Sequence, residues 1–182
     1  HFGSLVAATA SYLDARAHNG SWLVRMEDLD KPREVPGAAQ DIIDTLISFG
    51  FQWDGEIIYQ SQRDDIYRQA LEKLISQQLA YPCGCSRKEI NAAAQMGIDG
   101  PVYPGFCRHG LPEGKQPVSW RLRVNNESID YEDRVQGKQS QILGRQVGDF
   151  VLKRADGLFA YQLAVVADDG LQGVTHIVRG AD

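Results

Sequence analysis

The sequence has no apolar run approaching the roughly 20 residues a membrane-spanning helix requires. It also lacks the basic-then-apolar pattern of a secretory leader, so neither a spanning segment nor a signal is read. Basic charge is in short supply. Nineteen Lys and Arg stand against 24 Asp and Glu, for a formal net charge of -5. That excludes a generally basic nucleic-acid coat while leaving room for a local basic face. Cysteine is scarce and odd in number, three in all, at Cys83, Cys85 and Cys107. A Cys-x-Cys pair is a poor geometry for a mutual disulfide and a good one for sharing a metal. The expected compartment is the reducing cytoplasm. Internal repeats and low-complexity tracts are absent as well.

What is present is ordinary for a globular chain. There are 182 residues, 43% hydrophobic and 24% charged. This suits one domain, or one domain carrying an insertion, with a sizeable core. Both ends read as cut. A helical pattern starts directly after residue 4, and the last residues run from a strand into a loop that stops. The chain is expected to be an internal fragment of something longer.

Along the chain, Leu5, Ala8, Tyr12 and Leu13 recur at helical spacing, with Gly20 as a stop. Ser21–Met26 reads as a buried strand ending in an acidic loop, Glu27-Asp28-Leu29-Asp30. A second helix begins at Pro36, carries Ile42, Ile43, Leu46 and Phe49 on its apolar face, and ends at Gly50. Ile57–Tyr59 is a short strand. A third helix from Asp64 to Gln78 has Tyr67, Ala70, Leu71, Leu74 and Ile75 in phase. Strand, helix, strand, helix in this order predicts parallel α/β winding.

The pattern then breaks. Tyr81 to Gly114 is rich in Gly and Pro and holds every cysteine. Ser119–Val124 alternates like an antiparallel strand with one wet face, and residues 125–148 are polar with short strands. Winding is expected to resume with a strand at Asp149–Arg154, a helix at Phe159–Asp168 and a buried strand at Val174–Val178. The simplest account is a small module inserted between two parts of a parallel sheet. The boundaries are 1–80 for the first part, 81–148 for the insertion and 149–182 for the second part.

Four groups of residues carry chemistry. His1-Phe2-Gly3-Ser4 leads into a helix, whose free N–H groups and positive dipole end suit a phosphate. Glu27 and Asp28 follow a strand, at the edge where open parallel sheets bind ligands, and suit an ammonium group or a metal. The alternative there is a solvated loop. Tyr161 opens a helix, and Arg179 follows an apolar strand, where it could hold a carboxylate bidentately. Asp168-Asp169 reads as a helix end and turn, and His18 and His176 as ordinary histidines. The three cysteines in a Gly- and Pro-rich stretch read as structural zinc ligands, one ion per chain, with His109 or the phenol of Tyr103 as the fourth.

The motifs together resemble one family. His1-Phe2-Gly3-Ser4 resembles the HIGH signature of class I aminoacyl-tRNA synthetases. Arg25-Met26-Glu27-Asp28-Leu29-Asp30 resembles the R-x-E-D-x-D loop of their glutamyl group. Phe159–Asp169 and Gly173–Gly180 continue the likeness in the right order. Pro32–Ala39 and Gly3-Ser4-Leu5 are similar to the glutamyl-Q tRNA(Asp) synthetase subgroup, which has no anticodon-binding domain. Val165, where glutamyl-tRNA synthetases carry an asparagine, points the same way.

The resemblance implies a Rossmann-like parallel sheet interrupted by a small zinc-bearing α+β insertion. It implies a ligase that activates glutamate with ATP and Mg²⁺ and passes it to queuosine of tRNA(Asp), as a monomer without membrane attachment. His1, Gly3 and Ser4 would meet ATP, with Ser4 replacing the last histidine of the full signature. Glu27 would hold the substrate ammonium, and Tyr161 and Arg179 the rest of the glutamate. Cys83, Cys85, Tyr103 and Cys107 would bind zinc. The family's strand and loop before His1, and its K-M-S-K-S-like loop, do not occur in these 182 residues, so this stretch alone is expected to be poorly active or inactive. Two other functions fit less well. One is a glutamyl-tRNA synthetase acting on the tRNA 3′ end, the other a non-catalytic zinc-stabilised tRNA-binding module.

Overall fold

The computed structural model describes residues 2–98 and 100–180. The chain divides into two compact units, His1–Asp64 with Ala164–Asp182, and Asp65–Leu163.

The first unit begins with helix α1, Phe2–Ala17. Ala8, Tyr12 and Ala15 face the core, following the expected spacing, while Leu13 is exposed. Asn19, in the left-handed region at φ 53°, ends the helix one residue before the expected Gly20. Strand β1 (Arg25–Met26) and strand β2 (Ile58–Tyr59) pair in parallel, Arg25 opposite Ile58 and Met26 opposite Tyr59. Helix α2, Ala38–Ser48, lies between them in sequence and buries Ile43 and Leu46. This is the α/β winding expected from the order of elements.

Strand β1 is shorter than the expected Ser21–Met26. The Trp22 amide donates to the Asp54 carboxylate at 2.8 Å, so a side chain takes a position that a ladder bond would occupy. Trp22, Val24, Met26, Ile43 and Leu46 form the core. Trp22 stacks on Phe51 and meets Tyr12 edge-on. Each such buried side chain contributes about 1.5–3 kcal/mol by leaving water.

Helix α3, Asp64–Ser76, leads into the second unit and buries Tyr67 and Leu71 on the expected face. Strands β3 (Ala80–Cys83), β6 (Ser119–Leu122) and β9 (Val151–Lys153) form an antiparallel sheet in the order β3-β6-β9. The strand expected at Asp149–Arg154 therefore exists but runs antiparallel to β6, so parallel winding does not resume there. Helix α4 (Arg87–Ala93) starts with a capping box between Ser86 and Glu89. Strands β4 (Met96–Gly97) and β5 (Gly100–Pro101) make a minimal hairpin. Strands β7 (Ser128–Asp133) and β8 (Gly137–Ile142) make a longer, exposed one, followed by the single turn α5, Leu143–Gln146.

Asp149 ties this unit together. Its carboxylate accepts from Tyr81 Oη at 2.5 Å and the Val124 amide at 2.9 Å, and pairs with Arg108. Its carbonyl accepts from Arg121 at 2.8 Å.

Helix α6, Tyr161–Gln172, starts two residues and ends four residues later than expected, and is closed by Gly173 with φ 67°. Asp168-Asp169 is thus inside the helix, not at its end. Residues 174–178, expected as a buried strand, pair with no strand among the described residues, and Ile177 is exposed.

Candidate functional site

Because β1 and β2 are parallel, their carboxyl ends lie on one side of the first unit. Glu27 and Asp28 leave the end of β1. The 3₁₀ turn Gln60–Gln62 leaves the end of β2. Asp28 fastens one to the other, accepting from the Ser61 amide at 2.9 Å and the Ser61 hydroxyl at 2.6 Å. It is committed to the fold rather than offered to a ligand. Asp30 pairs with Arg33. Glu27 remains the outward-facing carboxylate of the loop, its side chain 37% exposed.

Arg25 sits beside it. One guanidinium nitrogen lies 3.4 Å from the Glu27 carboxylate, and another pairs with Asp169 at 2.8 Å and donates to Gln172 at 2.8 Å. Partial burial pushes the Glu27 carboxyl above its usual range, and the nearby Asp169 adds to this. Arg25 and Arg179 oppose the shift, so Arg179 lies within electrostatic reach of Glu27.

Asp168 is fully buried. Its carboxylate accepts from Gln60 Nε2 at 2.9 Å and Arg63 Nε at 2.8 Å, with Arg25 Nε at 4.0 Å. A polar group taken this far from water is costly unless it finds such hydrogen-bond partners. Sequence reasoning missed it. The available signal was its spacing of four from buried Ala164, which puts both on one helical face.

Gly3 and Ser4 lie in the first turn of α1, at the positive end of the helix dipole. His1 lies outside the described residues. Tyr161 is the first residue of α6 and is exposed. His18 and His176, read as ordinary histidines, have ring centroids 5.1 Å apart.

In the second unit, Cys83, Cys85 and Cys107 are free thiols that converge with Tyr103. The Tyr103 oxygen is 3.3 Å from Cys83 Sγ and 3.4 Å from Cys85 Sγ, and Cys85 Sγ is 3.6 Å from Cys107 Sγ. The edges of a tetrahedron drawn around zinc are about 3.8 Å between sulfurs and about 3.5 Å between sulfur and oxygen, from bond lengths near 2.3 and 2.0 Å. The observed separations fit. Tyr103 thus lies among the thiols, while His109 is exposed and belongs to no metal-ligating group among the described residues.

Strand β3 supplies Cys83, and the tightly turned loop supplies the rest. The Arg121 guanidinium lies 3.9 Å over the Tyr103 ring. Burial pushes the Cys83 thiol up, but hydrogen bonds from Tyr103 and the Cys85 amide, with Arg121, outweigh it and bring the thiol down to about 7. Burial and the neighbouring Cys107 push Cys85 up to about 11. Burial and the surrounding thiols push the Tyr103 phenol up as well.

The family described as tRNA synthetases class I (E and Q), catalytic domain, matches residues 1–182. A glutamyl-Q tRNA(Asp) synthetase of Chromobacterium violaceum is 61% identical over 182 residues, covering 100% of this chain and 61% of its own length. One from Neisseria meningitidis serogroup C is 59% identical over 186 residues, covering 100% of this chain and 63% of its own. The chain thus spans a little over three-fifths of these curated relatives. The crystal structure of a glutamate tRNA ligase from Elizabethkingia meningosepticum, in complex with its amino acid, superposes with a TM-score of 0.81 at 26% identity. That match covers 97% of this chain and 40% of the ligase.

Proposed function

The chain belongs to the class I tRNA synthetase family for glutamate and glutamine, as part of its catalytic domain, and from that premise we propose that the whole protein glutamylates tRNA(Asp) at queuosine. Glutamate and ATP are the small substrates, with Mg²⁺ on the triphosphate. The observation that carries the reading is Glu27. It is an outward-facing carboxylate at the end of a parallel strand, with Arg25 beside it and Arg179 within electrostatic reach.

In this reading Glu27 holds the substrate ammonium and Arg179 a substrate carboxylate, with Tyr161 completing the amino-acid site. His1, Gly3 and Ser4 meet ATP at the start of α1, where the helix dipole favours phosphate. An oxygen of the glutamate α-carboxylate attacks the ATP α-phosphorus. The bond to the β-phosphate oxygen breaks, giving glutamyl-adenylate and pyrophosphate. The carboxylate is ionised at neutral pH, so this step needs no general base. A queuosine hydroxyl then attacks the activated carbonyl carbon, loses its proton, and releases AMP. The protein contributes position and charge complementarity.

Residues 81–148 act as an acceptor-type module inserted in the catalytic domain. Cys83, Cys85, Tyr103 and Cys107 hold one structural zinc ion there, which cross-links a stretch short of core-building residues. The support is the fit of their spacing to a tetrahedral site. Among the described residues no helix is long and apolar enough to cross a membrane; we place the protein in the cytoplasm as a monomer.

The test is glutamate-dependent ATP–pyrophosphate exchange by the whole protein, followed by mapping of labelled glutamate on tRNA. Exchange is expected, with label on queuosine of tRNA(Asp). Glu27→Gln should lower kcat/KM for glutamate by about 100-fold, the loss of one charge-assisted contact of about 3 kcal/mol. Label at the 3′ end of tRNA(Glu) would make the protein a glutamyl-tRNA synthetase. Binding of tRNA without exchange would make it a non-catalytic module.

A further inference from the structure

We propose that Asp14, His18 and His176 form a second metal site, for a borderline divalent transition ion such as zinc. The site is separate from the cysteine cluster and independent of the ligase reading. Asp14 and His18 stand four apart on α1, so both side chains share one face. The segment after α6 brings His176 to that face, the two imidazoles 5.1 Å apart and tilted by 33°. One ligand atom from each of the three residues lies within 4.8 Å of the other two.

The surroundings are those that orient metal-binding histidines. His18 Nδ1 faces the Asp14 carbonyl at 2.8 Å, and His176 Nδ1 faces the Thr175 hydroxyl at 3.0 Å. A histidine that donates through Nδ1 to such an oxygen keeps its lone pair on Nε2 and its ring in place. Two imidazoles and a carboxylate suit a borderline ion and leave a coordination position for water.

Zinc stoichiometry tests the assignment. The whole protein, desalted after incubation with Zn²⁺, is analysed for bound metal beside His18→Ala, His176→Ala and Asp14→Asn variants. Circular dichroism checks that each is folded. The expected result is one zinc equivalent fewer in each histidine variant than in the parent, with Asp14→Asn weakening the binding seen in calorimetric titration by about tenfold. The comparison is a difference, so it holds whether or not the cysteines carry zinc. Equal stoichiometry in parent and folded histidine variants would overturn the proposal, as would loss of zinc only on removing a cysteine.

Discussion

Cys83 and Tyr103 are 20 residues apart in sequence, whereas Arg63 and Asp168, equally well joined, are 105 apart. The cysteine cluster is local. It sits in loops with few apolar side chains of their own, and its small core is Tyr81, Cys83, Tyr103 and Cys107. The arginine–carboxylate network at the ends of β1 and β2 is non-local. It draws on β1, the 3₁₀ turn after β2, and α6. Closing a long loop costs only slightly more entropy than closing a short one, so distance in sequence is no obstacle once the elements fold. The difference lies in what each cluster relies on. The network relies on paired charges within an ordered unit. The cysteines converge instead on the hydroxyl of one buried tyrosine, Tyr103.

The largest break in this comparison comes from removing metal. Chelation, or Cys83→Ser, should lower the melting temperature by roughly 10 °C, since structural zinc supplies much of the folding energy of such modules. A melting curve indifferent to chelator would mean the thiols are simply buried. Next is Asp168→Ala, which strands Arg63 and the Gln60 amide. Urea denaturation should show a loss of about 3–5 kcal/mol, independent of chelator. A loss below about 1 kcal/mol would show that the network is not what holds these elements.

A milder probe is pH. Burial raises the Glu27 carboxyl, so it protonates at a pH above the usual carboxylate range. Glutamate KM should therefore rise as pH falls, approaching about tenfold per unit below that point. Glu27→Gln should flatten the profile. The smallest effect is Ser86→Ala, which removes the capping box of α4. It should cost about 1 kcal/mol and leave the network intact, a control that separates local helix stability from the cysteine cluster next to it.

The same contrast explains what the sequence could reveal. Spacing alone located all three N-terminal helices, because Tyr12, Ile43, Leu46, Tyr67 and Leu71 recur with the helical period and do point inward. The cysteines were legible because all three fall in one short window of sequence. The direction of β9 was not, since a short apolar strand reads the same in parallel and antiparallel sheets. Asp168 was missed because each of its partners is remote, and Asp168-Asp169-Gly170 looks like a helix end and turn. The pairing of His18 with His176 has no local signature either. Only the backbone path after Gly173 brings them together.

The packing of Trp22 between Phe51 and Tyr12 has a use beyond stability. Trp22 and Trp53 belong to the first unit and Trp120 to the second. Trp22 also donates its indole N–H to the Ser11 hydroxyl at 2.9 Å. Its emission should shift to the red when that contact and its aromatic neighbours are lost. With the other two tryptophans replaced by phenylalanine, the colour of a single residue would follow the first unit. Keeping Trp120 alone would follow the second. The protein thus carries a separate optical gauge for each half, and titrating a chelator against the pair would show whether they come apart together or in turn.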